Sequence, residues 1–362
     1  MQKIRTAIIE QGRSGRDIHG AHLSTDTERY QIVAAVDPLP DRRNRAQAEY
    51  GCDVYTDYTA LLEREDLDLV VNAAPSKFHV PISLSLLEAG YNVLCEKPLA
   101  SGVLAVDRLI AAAERSGKML AIFQQSRFAP CFRKIREVID SGVLGEVVQV
   151  SIVYSGFSRR YDWQTLTSEM GGSLLNTGPH PLDQALQFFG GGEMPRVHCI
   201  MRNATSYGDA EDHVLLILSG ERRPLIEMEI SSCARYPHDM YNICATRGGL
   251  KGSSRSIEWQ YYDPQTARPL ELTRTPLHQA DGTPAYCSDK LEWHTEQWSA
   301  PEGQGLFATM SHDFYSMLYR SLTEGQPLEV TPQQVRRQIA VIEECHRQNP
   351  HIYPLTREGA RP

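Results

Sequence analysis

Within the first 125 residues short apolar runs alternate with amphipathic stretches, and that alternation leaves the chain few folds. The runs at 4–9, 31–36, 69–73, 92–95 and 119–123 are brief and aliphatic, as buried strands are. Between them, 81–89 and 103–116 read as helices stopped by Gly90 and Gly117. Strand–helix–strand units cross over right-handed, so this half is expected to form a doubly wound parallel sheet. Ligands of such sheets bind beyond the carboxyl ends of the strands.

After residue 123 the texture changes. A helix is expected at 130–141, then strands at 147–154, 197–202, 214–218, 225–231, 241–245 and 257–262. Several alternate apolar and polar residues, which suits an antiparallel sheet with one covered face. Helices are expected at 181–189, 306–324 and 332–348. Residues 263–301, rich in Pro, Thr, Asp and Gly, read as a long surface excursion.

The formal net charge of -8 argues against nucleic-acid or anionic-membrane partners, which need clustered positive charge. Eight cysteines show no C-x-x-C spacing, and no pairing of His with carboxylates makes a metal site, so no metal is expected. The absence of a signal-like start or of eighteen consecutive apolar residues leads us to expect a cytoplasmic protein.

Chemistry is carried by three stretches. In "AIIEQGRSGRDIHG", residues 7–20, the loop Gly12, Arg13, Ser14 and Gly15 leaves a strand and opens a helix, as a dinucleotide-binding turn does, although Glu10 fills the first glycine position of G-x-G-x-x-G. Asp37 ends the second strand 22 residues beyond Gly15, where a carboxylate can grip ribose hydroxyls and repel a 2′-phosphate. NAD is therefore expected, with NADP kept open by Arg42 and Arg43. In "VLCEKPLA", residues 93–100, Glu96 and Lys97 end a buried strand, and a lysine desolvated in a cleft can exchange protons. In "GGSLLNTGPHPLDQAL", residues 171–186, His180 and Asp183 are three apart at a helix start, so the carboxylate can orient the ring. The bland alternatives are a plain strand–turn–helix, a surface His79 and a capped helix with Asp183 in solvent.

In chain order, "GRSG", "AAPSKFH" (73–79), "CEKP" (95–98) and "GGSLLNTGPHPLD" (171–183) resemble the Gfo/Idh/MocA family of nicotinamide-dependent oxidoreductases over nearly the whole length. The resemblance implies an α/β protein. Its N-terminal Rossmann domain, a doubly wound parallel sheet, would span 1–124. A C-terminal α+β domain with an open, mostly antiparallel sheet would span 125–362, forming a homodimer or homotetramer through that sheet. It further implies that Lys97 contacts substrate and nicotinamide ribose, that His180 exchanges the proton of the reacting hydroxyl, and that Pro75, His79, Glu96 and Gln125 line the cofactor. Substrates of the family are mostly sugars, polyols and their derivatives.

This chain departs from the family at two positions. Glu10 is expected to point away from the pyrophosphate or to pair with Arg13 or Arg16. Asn176 stands where many members have an aspartate; an amide can hold a substrate hydroxyl but not take its proton. Arg160 and Trp163, in "SRRYDWQTL", are expected to meet the sugar. The expected activity is oxidation or reduction at a hydroxyl-bearing carbon. A redox-assisted lyase or glycosidase holding NAD tightly, and a non-catalytic sensor, are the alternatives.

Overall fold

The computed structural model describes residues 3–303 and 305–354. The first sheet holds β1 (Ile4–Ile9), β2 (Tyr30–Val36), β3 (Asp53–Tyr55), β4 (Leu69–Asn72), β5 (Asn92–Cys95) and β6 (Leu120–Ile122), ordered β3-β2-β1-β4-β5-β6. Every neighbouring pair is parallel. The crossovers are a π-helical turn, Arg13–Gly20, running into α1 (Ala21–Leu23), then α2 (Pro40–Tyr50), α3 (His79–Glu88) and α4 (Val103–Ser116). All four residues of β4 are buried, which is why its sequence is a continuous rather than an alternating run. Each buried Val or Leu there contributes roughly 1.5–3 kcal/mol. Strand order reverses between β1 and β4, and a ligand crevice opens at that point.

Sequence periodicity misses α2 and β3. Only Ala46 of α2 is buried, so "PDRRNRAQAEY" has no apolar stripe; Pro40 at its first turn and Gly51, at φ +64°, mark its ends instead.

The second sheet is built from β7 (Val147–Ser155), β8 (Arg196–Arg202), β9 (His213–Ser219), β10 (Leu225–Ser231), β11 (Tyr241–Ala245), β12 (Gly248–Gly252), β13 (Ser256–Tyr261) and β14 (His294–Ser299). Its order is β14-β13-β12-β11-β7-β10-β9-β8. β7 and β10 run parallel and the other pairs antiparallel. Two strands escaped the sequence reading. "GGLKG" in β12 reads as a turn, yet its backbone pairs on both sides. β14 lies inside the expected surface excursion, and its almost fully exposed residues carry no apolar alternation.

Helix α5 (Pro130–Asp140) connects the two sheets, α6 (Ser173–Asn176) and α7 (Pro179–Phe189) lie between β7 and β8 in the chain, and α8 (Leu306–Glu324) and α9 (Pro332–Gln348) return across both sheets. Tyr315 of α8 accepts the Tyr30 hydroxyl at its carbonyl, 2.8 Å away, and Phe314 meets Phe123 edge to face at 4.9 Å. A capping box of Thr331 and Gln334 starts α9. Farther along that helix, Gln338 accepts from Gln124 at 2.7 Å and donates to the Pro179 carbonyl at 2.6 Å. These helices tie the strand ends of the first sheet to the start of α7. A boundary drawn at residue 124 follows chain order, while the packing runs across it.

Candidate active site

The loop after β1 combines room with close packing. A Cβ on Gly12 would meet only the end of Arg42, at 3.6 Å, whereas one on Gly15 would lie 1.7 Å from the Glu10 carbonyl oxygen. Gly15 therefore lets the helix start press onto the strand, and the open face at Gly12 is where an anion can approach backbone amides. Arg13 is exposed and Ser14 half-buried beside it.

The ribose end differs from the sequence expectation. Asp37 is fully buried: its carboxylate accepts the Gln11 amide and the Leu39 amide, each at 2.8 Å, and takes Arg42 at 3.3 Å. Its Oδ2 thereby braces the glycine loop through Gln11 and its Oδ1 the turn after β2 through Leu39, which fixes the carboxylate at the strand end. The carboxylate that faces outward is Glu10. It sits at φ +68°, a left-handed conformation disfavoured for a side-chain-bearing residue, with its carboxyl against Asp37 and 3.8 Å from Arg42. Neither expected partner holds it, since Arg16 is taken by Glu49 at 2.7 Å. Burial and the Asp37 charge push Glu10 up from 4.5 to about 7, against the opposing pull of Arg42.

That shift has a testable sign. A carboxyl raised on folding keeps a proton the unfolded chain would release, so its contribution to stability declines as pH rises from about 4.5 through about 7. Glu10→Gln should therefore gain stability relative to the parent between ~pH 5 and ~pH 8, read as a growing difference in denaturation midpoints. A difference independent of pH would mean that Glu10 titrates normally.

At the end of β5, Glu96 is buried, 3.2 Å from His19 Nε2, and accepts the Lys97 amide at 3.0 Å. Burial raises its carboxyl, but the hydrogen bond and charge of His19, with the Lys97 ammonium, outweigh that and hold it at about 2. His19 Nδ1 in turn lies 2.7 Å from the Tyr315 hydroxyl of α8. Glu96 is thus a buried anion beneath Lys97 rather than an exposed lining group. His79 also differs from expectation. Both ring nitrogens face backbone carbonyls, of Pro98 at 2.7 Å and Ala74 at 2.8 Å, so the ring braces two loops of the crevice from within. Pro75, half-buried, opens the turn before it. The Lys97–Pro98 peptide is cis.

Lys97 crosses the crevice and donates to the Asn176 carbonyl at 2.9 Å. Burial and the charges of Arg13 and Arg160 lower its pKa, while Glu96 opposes them. Burial, with the Lys97 ammonium next, lowers His180 to about 3, so its imidazole is neutral at ordinary pH. The structure therefore brings together Lys97, His180, Asn176, Arg13 and Arg160.

It separates Asp183 from them. The His180 Nδ1 partner is Ser126 Oγ at 3.2 Å, and Asp183 instead holds Arg127 with both oxygens, at 2.5 and 2.6 Å. A spacing of three put both residues at the start of one helix, but Asp183 turns into the interior, 3% exposed. Asn176 Oδ1 accepts from Gln164 at 3.2 Å, and Gln164 in turn contacts Arg160, which also pairs with Asp162 at 2.6 Å. Trp163, next to Gln164, stands 41% exposed. α6, which carries Asn176, is itself fixed by buried Glu211, whose carboxylate accepts the Leu174 amide at 2.8 Å. At Gly172, φ +110°, a Cβ would collide with that carboxylate at 2.5 Å.

Sequence reasoning missed His19, Ser126, Arg127 and Gln164. "QQSRF" at 124–128 was legible as part of a motif, but which of its side chains turn inward was not. The residues fit a dinucleotide: the switch-point crevice, the bare Gly12 face, and a buried Gln125 side-chain carbonyl with no hydrogen-bond partner all point to an absent polar group.

Two family models match in succession: an oxidoreductase family with an NAD-binding Rossmann fold over residues 4–124, and the Gfo/Idh/MocA C-terminal domain over 132–251. The chain belongs to the Gfo/Idh/MocA family. Its first domain is accordingly an NAD-binding Rossmann domain. Among Gfo/Idh/MocA relatives, inositol 2-dehydrogenase 2 of Saccharopolyspora erythraea is 29% identical over 69% of this chain and 71% of its own length. D-glucoside 3-dehydrogenase of Escherichia coli strain K12 is 32% identical over 52% of this chain and 54% of its own. A 2,7-anhydro-N-acetylneuraminate hydratase of Mediterraneibacter gnavus is 26% identical over 69% and 67%. The fold is shared by the WlbA dehydrogenase of Bordetella pertussis, solved with NADH and UDP-GlcNAcA, at a TM-score of 0.77 and 18% identity over 97% of this chain and 96% of that one. Among the described residues no helix is long and apolar enough to cross a membrane.

Proposed function

We propose that this member of the family is a dehydrogenase that moves a hydride between NAD and a hydroxyl-bearing carbon of a sugar, polyol or related compound. The observation that carries the reading is that Lys97, from the first half of the chain, reaches the Asn176 carbonyl at 2.9 Å, four residues before His180 in the second, and its charge lowers the pKa of that ring. Bound nicotinamide would supply the hydride acceptor. His180, neutral, takes the hydroxyl proton at Nε2, while Ser126 holds Nδ1 and fixes the ring. Lys97, released from the Asn176 carbonyl, donates to the same oxygen and stabilises its developing negative charge. Asn176 and Arg160 hold neighbouring hydroxyls, and Arg13 faces the phosphates. The glucoside and inositol dehydrogenases among the relatives support a polyhydroxylated substrate.

A second reading has support from the hydratase relative and from Asn176, which cannot relay a proton. In it, NAD is reduced and restored within one turnover. Denaturing the purified protein and identifying the released nucleotide, then following a panel of sugars and polyols at the absorbance of reduced nicotinamide, separates the two. Net accumulation supports the dehydrogenase; consumption of substrate without accumulation supports elimination or hydration.

Preference for NAD over NADP is assigned to the Glu10–Asp37 pair. Glu10→Gly should leave NAD affinity equal or improved, because it removes both a negative charge and a left-handed residue. It should raise NADP affinity more, because the 2′-phosphate loses a repelling carboxylate. Asp37→Ala should narrow the preference too. Fluorescence titration with both nucleotides reads this out; tighter NADP binding by the unaltered protein would overturn the assignment.

A further inference from the structure

His180 and Ser126 also form one wall of a cavity of 240 Å³ that the chemistry above leaves unused. Its other walls are Tyr154 at the end of β7, Met240 and Tyr241 at the start of β11, and Phe307 and Met310 in the first turns of α8. A polyhydroxylated ring buried here would need several polar partners. The walls offer mainly carbon, two thioethers and ring faces, and the Tyr241 hydroxyl is already donated to Gln184 at 2.7 Å. The free Gln125 carbonyl at its edge is the one assigned above to the dinucleotide, so it adds no partner for a sugar hydroxyl. Volume then decides the kind of group. An enclosed apolar cavity of roughly 150 Å³ takes a benzene ring, so this recess, open on the side of Phe307, has room for a single aromatic ring with a small substituent. Thioethers and ring edges favour an aromatic guest over an alkyl chain.

We infer that this cavity is a subsite for an aromatic substituent on the substrate, so that the hydroxyl presented to His180 belongs to an aryl glycoside. The inference rests on the reading of His180 as the proton acceptor, since the same ring borders both spaces.

Matched methyl and phenyl β-glycosides of glucose, galactose and xylose, assayed with NAD, test it. The phenyl member should show a KM about tenfold to a hundredfold lower, as expected for burying one ring in carbon. Ala129 lines the cavity, and Ala129→Phe should collapse that ratio towards one. Should that variant fail to fold by circular dichroism, Met310→Trp fills the space from α8 instead. p-Cresol gives an arm independent of turnover: it should bind the NAD-loaded protein in saturation-transfer NMR and lose that binding in the filled variant. Inert glycosides together with p-cresol binding that filling abolishes would support the aromatic subsite and overturn the glycoside dehydrogenase reading. Equal KM values for methyl and phenyl members, or a p-cresol signal absent or insensitive to filling, overturns the subsite.

Discussion

Lys97→Ala and His180→Ala should each lower turnover by about 10² to 10⁴-fold, the usual contribution of a positioned acid–base group. The two side chains arrive from opposite directions, Lys97 from the end of β5 and His180 from the first turn of α7, and the lysine charge is felt at the imidazole. Groups that act as a unit are not additive, so the double variant should be little worse than either single one. Cofactor binding should survive the histidine change, because His180 is carried by α7 on the wall opposite the glycine loop. In Lys97→Ala the His180 pKa should rise, since removing a neighbouring positive charge favours the imidazolium, and NMR titration of the ring reads that directly. Asn176→Asp should raise or preserve dehydrogenase activity on a true substrate. Additive losses in the double variant would show that the two residues serve separate steps.

Breaking the Arg127–Asp183 pair should have the largest effect on stability. The pair is bidentate, its side chains only 11% and 4% exposed, and it joins the turn after β6 to α7. Asp183→Ala leaves a buried guanidinium whose remaining acceptors are the Glu329 carbonyl at 3.2 Å and Gln334 Oε1 at 3.3 Å. A loss of about 3–5 kcal/mol in denaturant unfolding is expected. Arg127→Met combined with Asp183→Leu should recover most of it, because removing both charges leaves none uncompensated. The fraction of Asp183→Ala that remains folded should turn over within a few fold of the parent. A loss of turnover like that of His180→Ala, at full stability, would return Asp183 to the chemistry and refute its structural assignment.

The pair of carboxylates beside the glycine loop shows what a linear motif conceals. Counting from the glycine loop puts Asp37 at the end of the second strand, where it bonds the Gln11 amide. The count says nothing of the two backbone amides that close over the carboxylate and leave Glu10 facing outward. Glu10 was legible as a departure, but its partner was not, because Arg42 comes from another crossover and only the sheet sets their spacing. His79 repeats the lesson: a histidine in a motif offers two nitrogens, and the loops that occupy both lie five and nineteen residues away.

Local chemistry in the sequence determined the strands and helices of the first sheet apart from β3 and α2, since buried parallel strands are apolar runs and glycines mark where helices stop. It also determined the places of Lys97 and His180, each tied to a strand end or a helix start. Elements without an apolar face left no such trace: polar α2, glycine-rich β12 and exposed β14 exist through backbone pairing and end signals. Only the tertiary structure decided which way Asp183 turns, that His19 lies behind Glu96, and that α8 and α9 lock the two sheets together. Those outcomes depend on contacts between residues as far apart as His19 and Tyr315, 296 positions along the chain, and a residue's own neighbours carry no record of such distant partners.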